Sequence, residues 1–324
     1  MTSQSTVSAQ TILITGGTGF AGSHLVDALL EKNETQVHVT SYGPDTGHVS
    51  QVLPADHLHQ LDLTEFTHTK DLLEKLQPTQ IYHLAALAGV GTSFDKLKQV
   101  LDANTQIQLS LLTAVKEVCP QAKVLSIGSA LEYQPQDTPL KETDPLGPVS
   151  PYGVSKVTQD MLAYAFYRQD NLQIIRTRSF NHFGERQAPG FVVVDFASQI
   201  AGLAANQSSG QPHEIKVGNL QAVRDFTYVK DVVEAYILLM EKGEAGEVYN
   251  VGSGEGVTIQ QILDWLIEFS GKEIHVKIDQ EKFRPIDVPK VIAQTDKIKQ
   301  LGWQPSTNIK QALEQTYNYY LANI

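Results

Sequence analysis

The stretch Thr11-Ile12-Leu13-Ile14-Thr15-Gly16-Gly17-Thr18-Gly19-Phe20-Ala21-Gly22 decides how the chain is read. Thr11 to Thr15 is a short apolar run of the kind that forms a buried strand. Glycines spaced three apart follow at once, and His24-Leu25-Val26-Asp27-Ala28-Leu29-Leu30 then keeps its apolar residues at helical spacing. The glycines therefore lie at a strand-to-helix turn, the context in which they acquire a phosphate-binding meaning. Gly16 permits the tight turn, Gly19 lets a pyrophosphate approach the helix N-terminus, and Gly22 lets helix and strand pack. Phe20, at the start of that helix, joins them as a cofactor-contact candidate.

Short apolar strands keep alternating with helical patterns up to about Arg178, as expected for an α/β, Rossmann-like, doubly wound parallel sheet. The next strand, Gln36-Val37-His38-Val39-Thr40-Ser41, ends without the Asp or Glu that would hold a ribose 2'-hydroxyl, and no arginine replaces it. NADP or NAD is therefore left open, with a slight lean to NADP or to use of both. Asp62 and Leu63 suit the adenine edge. Leu84, Ala85 and Ala86 follow a strand end at His83, where small residues would let a cofactor lie close.

Ser129, Tyr152 and Lys156 supply the chemistry. Tyr152 and Lys156 are four residues apart and share one face of a helix. A free phenol titrates near ~10, so it exchanges a proton at neutral pH only if its phenolate is stabilised. The Lys156 ammonium, with an oxidised nicotinamide alongside, is expected to bring Tyr152 towards the working pH of general acid/base catalysis. Lys156 could also hold the cofactor ribose. Ser129 ends the apolar run Val124-Leu125-Ser126-Ile127-Gly128, at the sheet edge where ligands bind. Tyr-x-x-x-Lys alone is common in helices, but together with Ser129 and the glycine turn it points to hydride chemistry at a sugar-like carbon.

At 324 residues and 41% hydrophobic, the chain can bury a large core. A net charge of -11, from 25 basic and 36 acidic residues, disfavours non-specific binding to nucleic acid or an anionic membrane. No run approaches the ~20 apolar residues of a membrane span. Met1 to Gln10 has neither a basic region nor an apolar run, so no signal peptide is expected. The single cysteine, Cys119, permits no intramolecular disulfide, which suits a cytoplasmic protein. The histidines show no metal-site spacing, and no metal is expected.

On these motifs, from about Thr11 to the C-terminus, the chain resembles the extended short-chain dehydrogenases/reductases that act on nucleotide sugars. The resemblance implies an NAD(P)-binding Rossmann domain, placed at 10–180 plus 222–251, and a smaller mixed α/β C-terminal domain for the nucleotide sugar, at 181–221 plus 252–324. It implies Tyr152 as acid/base, Lys156 as its electrostatic partner and Ser129 as hydroxyl donor to the reacting oxygen. The stretches Arg178 to Gly184, Val217-Gly218-Asn219-Leu220, Arg224-Asp225-Phe226 and Arg284-Pro285 resemble the GDP-mannose branch, which holds dehydratases and reductases. Asn181, Lys216, Arg224 and Arg284 become candidates for a nucleotide diphosphate, and His182 for a contact near the nicotinamide. Glu185 stands where much of the wider family has proline.

Dehydratases of this kind carry an extra glutamate just after the catalytic hydroxyl. Aligned on Tyr133, that position is Leu131, and Glu132 would face the other way from it in an extended segment. Reduction of the 4-keto group of a GDP-linked 4-keto-6-deoxyhexose is therefore expected. Nucleotide-sugar 4-epimerisation, GDP-mannose 4,6-dehydration and a non-catalytic dinucleotide sensor are the alternatives. In the family, helices such as those at 100–118 and 157–167 form a four-helix homodimer interface. Asn104, in the first of these, reads as a side chain satisfied in the core.

Overall fold

The computed structural model describes residues 10–88, 96–205, 213–283 and 288–324. In chain order the strands are β1 (Ile12–Thr15), β2 (Val37–Ser41), β3 (Leu58–Gln60), β4 (Gln80–His83), β5 (Lys123–Ser129), β6 (Gln173–Ser179), β7 (Asn181–Phe183), β8 (His213–Val217), β9 (Val223–Tyr228), β10 (Val248–Val251), β11 (Gly256–Thr258), β12 (Ile274–Ile278) and β13 (Lys290–Val291). The helices are α1 (Phe20–Glu31), α2 (Val49–Val52), α3 (Phe66–Leu76), α4 (Leu97–Val118), α5 (Pro151–Asp170), α6 (Val192–Ala205), α7 (Val229–Lys242), α8 (Ile259–Ser270), α9 (Asp296–Gln300) and α10 (Ile309–Ala322).

Seven strands form one sheet in the order β10-β6-β5-β4-β1-β2-β3, with every pair parallel. The winding direction reverses between β1 and β4, so a crevice opens at the carboxyl ends of those strands. Strand period becomes core directly. Ile12 and Ile14 pack with Leu25 and Val26 of α1 and with Val232 and Tyr236 of α7, while Leu13 faces the opposite core with Leu73, Leu111 and Val115. Each such fully buried aliphatic side chain stabilises the fold by about 1.5–3 kcal/mol.

A second core gathers Phe196 and Ile200 of α6, Ile262, Leu263 and Leu266 of α8 and Leu313 of α10 beside a four-stranded sheet of β7, β9, β11 and β13. The division expected at 222–251 is corrected here. β9 belongs to this smaller sheet because Phe226 and Tyr228 alternate into the second core, and only with α7 does the chain return to the first. Ile298 and Trp303, expected in the second domain, pack in the first core, where the Trp303 indole donates to the Asp231 carbonyl at 3.1 Å.

Several imidazoles are sealed in this framework. His24 on α1 and His38 on β2 are each held down to about 4, chiefly by burial, and His83 on β4 to about 3 by the same cause. These rings fold neutral, whereas in the unfolded chain they gain protons as pH falls through about 6.5. The linkage is therefore fully favourable above about 6.5 and is lost progressively towards about pH 4. Denaturant titrations should show stability starting to fall below about pH 6.5, before carboxylates titrate, by a few kcal/mol in all. A flat profile from pH 7 to 5.5 would contradict this account of the buried rings.

Candidate active site

The glycine turn fits a dinucleotide pyrophosphate. Gly16 has φ +68°, and a Cβ there would lie 3.0 Å from the Ala85 backbone. A Cβ on Gly22 would lie 2.4 Å from the Gly16 carbonyl oxygen, so α1 can approach β1 this closely only without a side chain. α1 begins at Gly19 with no side-chain cap and no acidic residue in its first turn. Its positive end is thus left to an anion. Thr40 on β2 accepts from the Gly16 amide at 3.1 Å and fixes the turn from below.

Beyond β4, the Leu84 amide donates to the Thr15 carbonyl and the Ala85 amide to the Thr15 hydroxyl, so Leu84, Ala85 and Ala86 run beside the glycines. The Asp62 carboxylate accepts from the amide and hydroxyl of Thr64, at 2.9 and 2.7 Å, which closes a local turn next to buried Leu63. His182 donates through Nδ1 to the Phe180 carbonyl and stacks on Phe20, with ring centroids 5.6 Å apart. Burial keeps its pKa below the ordinary imidazole value. Asn104 is fully enclosed, its amide bonded to the Leu87 backbone and to Ser155 Oγ.

Ser129 ends β5, and the chain then makes a single 3-10 turn over Ala130–Glu132 instead of staying extended. Ser129 Oγ accepts from the Leu131 amide at 3.2 Å, while Glu132 Oε1 accepts from the Ser129 amide at 2.6 Å. This reciprocal pair turns Glu132 inward to complete burial. The extended segment on which the expectation for Glu132 rested is not found: in the turn Leu131 is half-buried and Glu132 buried. Gly128 makes room for it, since a Cβ there would lie 2.4 Å from Glu132 Oε1.

α5 carries the other two groups. Ser150 caps it by accepting from the Gly153 amide at 3.1 Å, and Pro151 sits at its first position. Tyr152 is half-buried in the first turn, and Lys156, one turn on, is buried with Nζ 6.0 Å from the Tyr152 ring centroid. The Lys156 ammonium donates to the Ile127 carbonyl at 2.8 Å, joining α5 to the strand that ends in Ser129. The expected lowering of the phenol is not met in the protein alone. Burial, and then the Glu132 charge, push Tyr152 above the ordinary phenol range, while burial brings Lys156 down, opposed by Glu132.

Beneath these groups lies a network that the sequence reading did not single out. Arg178 on β6 donates through Nε to Glu132 at 3.1 Å and through Nη2 to Asp160 of α5 at 2.8 Å, and Arg176 donates to the other oxygen of Asp160 at 2.8 Å. Its signal was present, because Ile174-Ile175-Arg176-Thr177-Arg178 places two guanidiniums inside an apolar strand, where they need buried carboxylates.

The other substrate candidates are carried by different elements. Asn181 is exposed at the start of β7, beside Phe226 of β9. Arg224 is half-buried on β9 and donates to the Val223 carbonyl at 2.9 Å. The neighbouring Asp225 is instead satisfied by Ser253, Gly254 and Ala293. Lys216 is exposed on β8. Arg284 falls outside the described residues. Glu185, at the missing proline, accepts from the Tyr228 hydroxyl at 2.8 and 2.9 Å and takes His24 Nε2 on its carbonyl at 2.9 Å, so side-chain ties hold that loop.

Gly22→Ala should cost about 1–3 kcal/mol, felt as weaker dinucleotide binding or a lower melting temperature, because its Cβ meets backbone that cannot move aside. Fluorescence titration with NADPH and NAD, alongside thermal unfolding, checks this. Wild-type values in both would contradict the close approach.

The family model described as GDP-mannose 4,6 dehydratase matches residues 13–316. The GDP-6-deoxy-D-mannose reductase of Pseudomonas aeruginosa is 30% identical over 308 residues, covering 94% of this chain and 95% of that protein. Among solved structures, RMD from Pseudomonas aeruginosa complexed with NADPH has a TM-score of 0.84 at 29% identity, covering 97% of this chain and 100% of that one. The UDP-glucose 4-epimerase of Thermus thermophilus in complex with NAD has a TM-score of 0.85 at 26% identity, with 97% and 100% covered. With one family model spanning nearly its whole length and relatives aligned end to end, the chain belongs to the GDP-mannose 4,6-dehydratase family, within the extended short-chain dehydrogenases/reductases, a family of NAD(P)-dependent enzymes acting on nucleotide sugars.

Proposed function

We propose that the protein reduces the 4-keto group of a GDP-4-keto-6-deoxyhexose, with NADPH or NADH, to GDP-rhamnose or its C4 epimer. One observation carries the choice of reaction. The turn after Ser129 offers Leu131 where a dehydratase needs its acid, and the neighbouring Glu132 is buried against Arg178. A 4,6-dehydration must also move protons at C5 and C6, and this turn presents no carboxylate for that work. The similarity to the GDP-6-deoxy-D-mannose reductase supports the GDP assignment.

The dinucleotide, when bound, supplies the hydride for C4. The remaining work falls to the chain's own side chains. Because Ser129 Oγ already accepts from the Leu131 amide, the hydroxyl proton is left to donate to the substrate's carbonyl oxygen. Tyr152, kept in its neutral form by burial and by the Glu132 charge, is poised as the proton donor to the same oxygen. Lys156 holds α5 to β5 through the Ile127 carbonyl and stands ready to stabilise the phenolate left behind. Arg224, Arg284 and Asn181 are the proposed contacts of the nucleotide diphosphate, with Lys216 at the margin.

A 4-epimerase is the second reading, favoured by the comparable likeness to the Thermus thermophilus UDP-glucose 4-epimerase. Oxidation of NADPH and NADH, followed at the nicotinamide absorbance with GDP-4-keto-6-deoxymannose generated in situ, should show net consumption. Silence from a protein that copurifies with tightly held NAD would replace reduction by epimerisation. Tyr152→Phe should lower turnover by roughly two to four orders of magnitude with little change in cofactor affinity. Normal turnover in that variant would remove Tyr152 from the mechanism.

A homodimer accompanies this reading. α4 and α5 pack together yet leave Leu97, Leu109, Val154, Met161 and Tyr164 exposed, a group of large apolar side chains suited to a second copy. Sedimentation should give a dimer, and Met161→Glu should shift it towards monomer. A wild-type monomer at micromolar concentration would refute the interface.

A further inference from the structure

The groups proposed to act on the carbonyl oxygen do not explain the charges buried beneath them. Glu132 and Asp160 are almost fully enclosed, with side chains 0% and 1% exposed, and are bridged by Arg178 at 4%. Burying such charges is costly unless they are paired and hydrogen-bonded, and replacement of such groups by packed apolar residues is often neutral or stabilising. Their placement is specific. Glu132 bonds the Ser129 amide, Asp160 lies one turn beyond Lys156 on α5, and the Arg178 fork joins the two carboxylates from β6.

We propose that Glu132 is a positioning residue for the reduction: it fixes Ser129 through the backbone amide, and through Arg178 and Asp160 it sets the seat of the helix that carries Tyr152 and Lys156. This rests on the reading of Ser129, Tyr152 and Lys156 as the reacting groups. The surroundings are consistent with it. Arg178 Nη1 also donates to the Glu142 carbonyl at 3.1 Å, and the guanidinium lies 4.8 Å from the Tyr133 ring centroid, so the fork is clamped on every side. Gly128 and Gly153 admit the turn, since a Cβ on Gly153 would lie 2.5 Å from the Leu131 carbonyl oxygen. Relaxing the Glu132 contact would free both the hydroxyl and the first turn of α5.

The carboxylate also acts at a distance. The charged and titratable groups facing Tyr152 are Glu132 from the turn, Lys156 from its own helix and Tyr236 from α7. Those facing Glu132 are Asp160, Arg178 and Lys156. Burial and Asp160 push the Glu132 carboxyl up, to about 8, against Arg178 and the Ser129 amide, which favour its ionised form; once ionised, on the basic side of the profile, its negative charge disfavours a phenolate. Reduction needs the phenol protonated and the Lys156 ammonium charged beside it; burial lowers that ammonium to about 8 and the Glu132 charge raises it, so Glu132 extends the pH range of the reaction upwards.

The test compares Glu132→Gln, Glu132→Asp and Tyr152→Phe in the full-length protein, using reductive turnover from pH 6 to 10, NADPH binding and thermal unfolding. Glu132→Gln should lower kcat by about 10-fold or more at nearly unchanged KM and NADPH affinity. The basic limb of its kcat profile should move down by roughly one pH unit, because the charge that helps hold the proton on Lys156 is gone. Glu132→Asp keeps the charge but draws back from the Ser129 amide, so it should lose turnover without moving that limb. This second variant carries the test if Glu132→Gln fails to fold. Wild-type kcat in either variant, or losses that follow the folded fraction with an unmoved limb in Glu132→Gln, would overturn the proposal. Turnover surviving in Tyr152→Phe would instead bring down the assignment of the reacting groups, whatever Glu132 does.

Discussion

Two guanidiniums and two carboxylates closed inside the sheet constrain everything above them. Arg176 and Arg178 lie two apart on β6, facing Asp160 on α5, and Arg178 also reaches Glu132 in the turn after β5. A charge in such surroundings cannot lose its partner cheaply, because the one left behind would be buried alone. Strand, helix and turn are therefore fixed relative to one another more firmly than apolar packing alone would fix them. Apolar side chains tolerate small slips, whereas the two-pronged guanidinium geometry does not.

The same pairing makes the site an electrostatic object as well as a rigid one. Lys156 is neither free nor aimed only at the phenol, since it donates to a strand carbonyl and feels Glu132. Tyr152 is left as a proton holder. This differs from the simple picture of an ammonium lowering its neighbour's pKa, and the reason is burial, which acts on both groups and penalises the charged form of each.

The nucleotide half of the fold was legible because its signals are local. Thr11 to Gly22 places strand, turn and helix within twelve residues, and the first strand forms where the apolar run predicts it, at Ile12–Thr15. The glycines are required by contacts to Ala85 and by the Gly16 carbonyl, which their spacing foretold. Less was legible where long-range packing decides. The placement of Glu132 assumed an extended segment after Ser129, yet the Glu132 carboxylate closes it into a turn on the Ser129 amide. β9 leads directly into α7, and nothing local says that the lobe changes within the first turn of that helix, between Val229 and Val232. Phe226 and Tyr228 reveal it only once the second core exists. The partners of Arg178, 46 and 18 residues away in sequence, are likewise invisible to any local window.

The chain passes from the first lobe to the second after Ser179, returns within α7 at Val232, leaves again after Val251, and comes back to lodge Ile298 and Trp303 in the first core before α10 seals the second. A polypeptide stitched in this manner has no single seam. Neither lobe can be lifted out as a cassette, and a graft that exchanges the second lobe for another would have to match every crossing at once. Side chains and loops can be exchanged one at a time in such an architecture, whereas the two lobes are inherited as one piece.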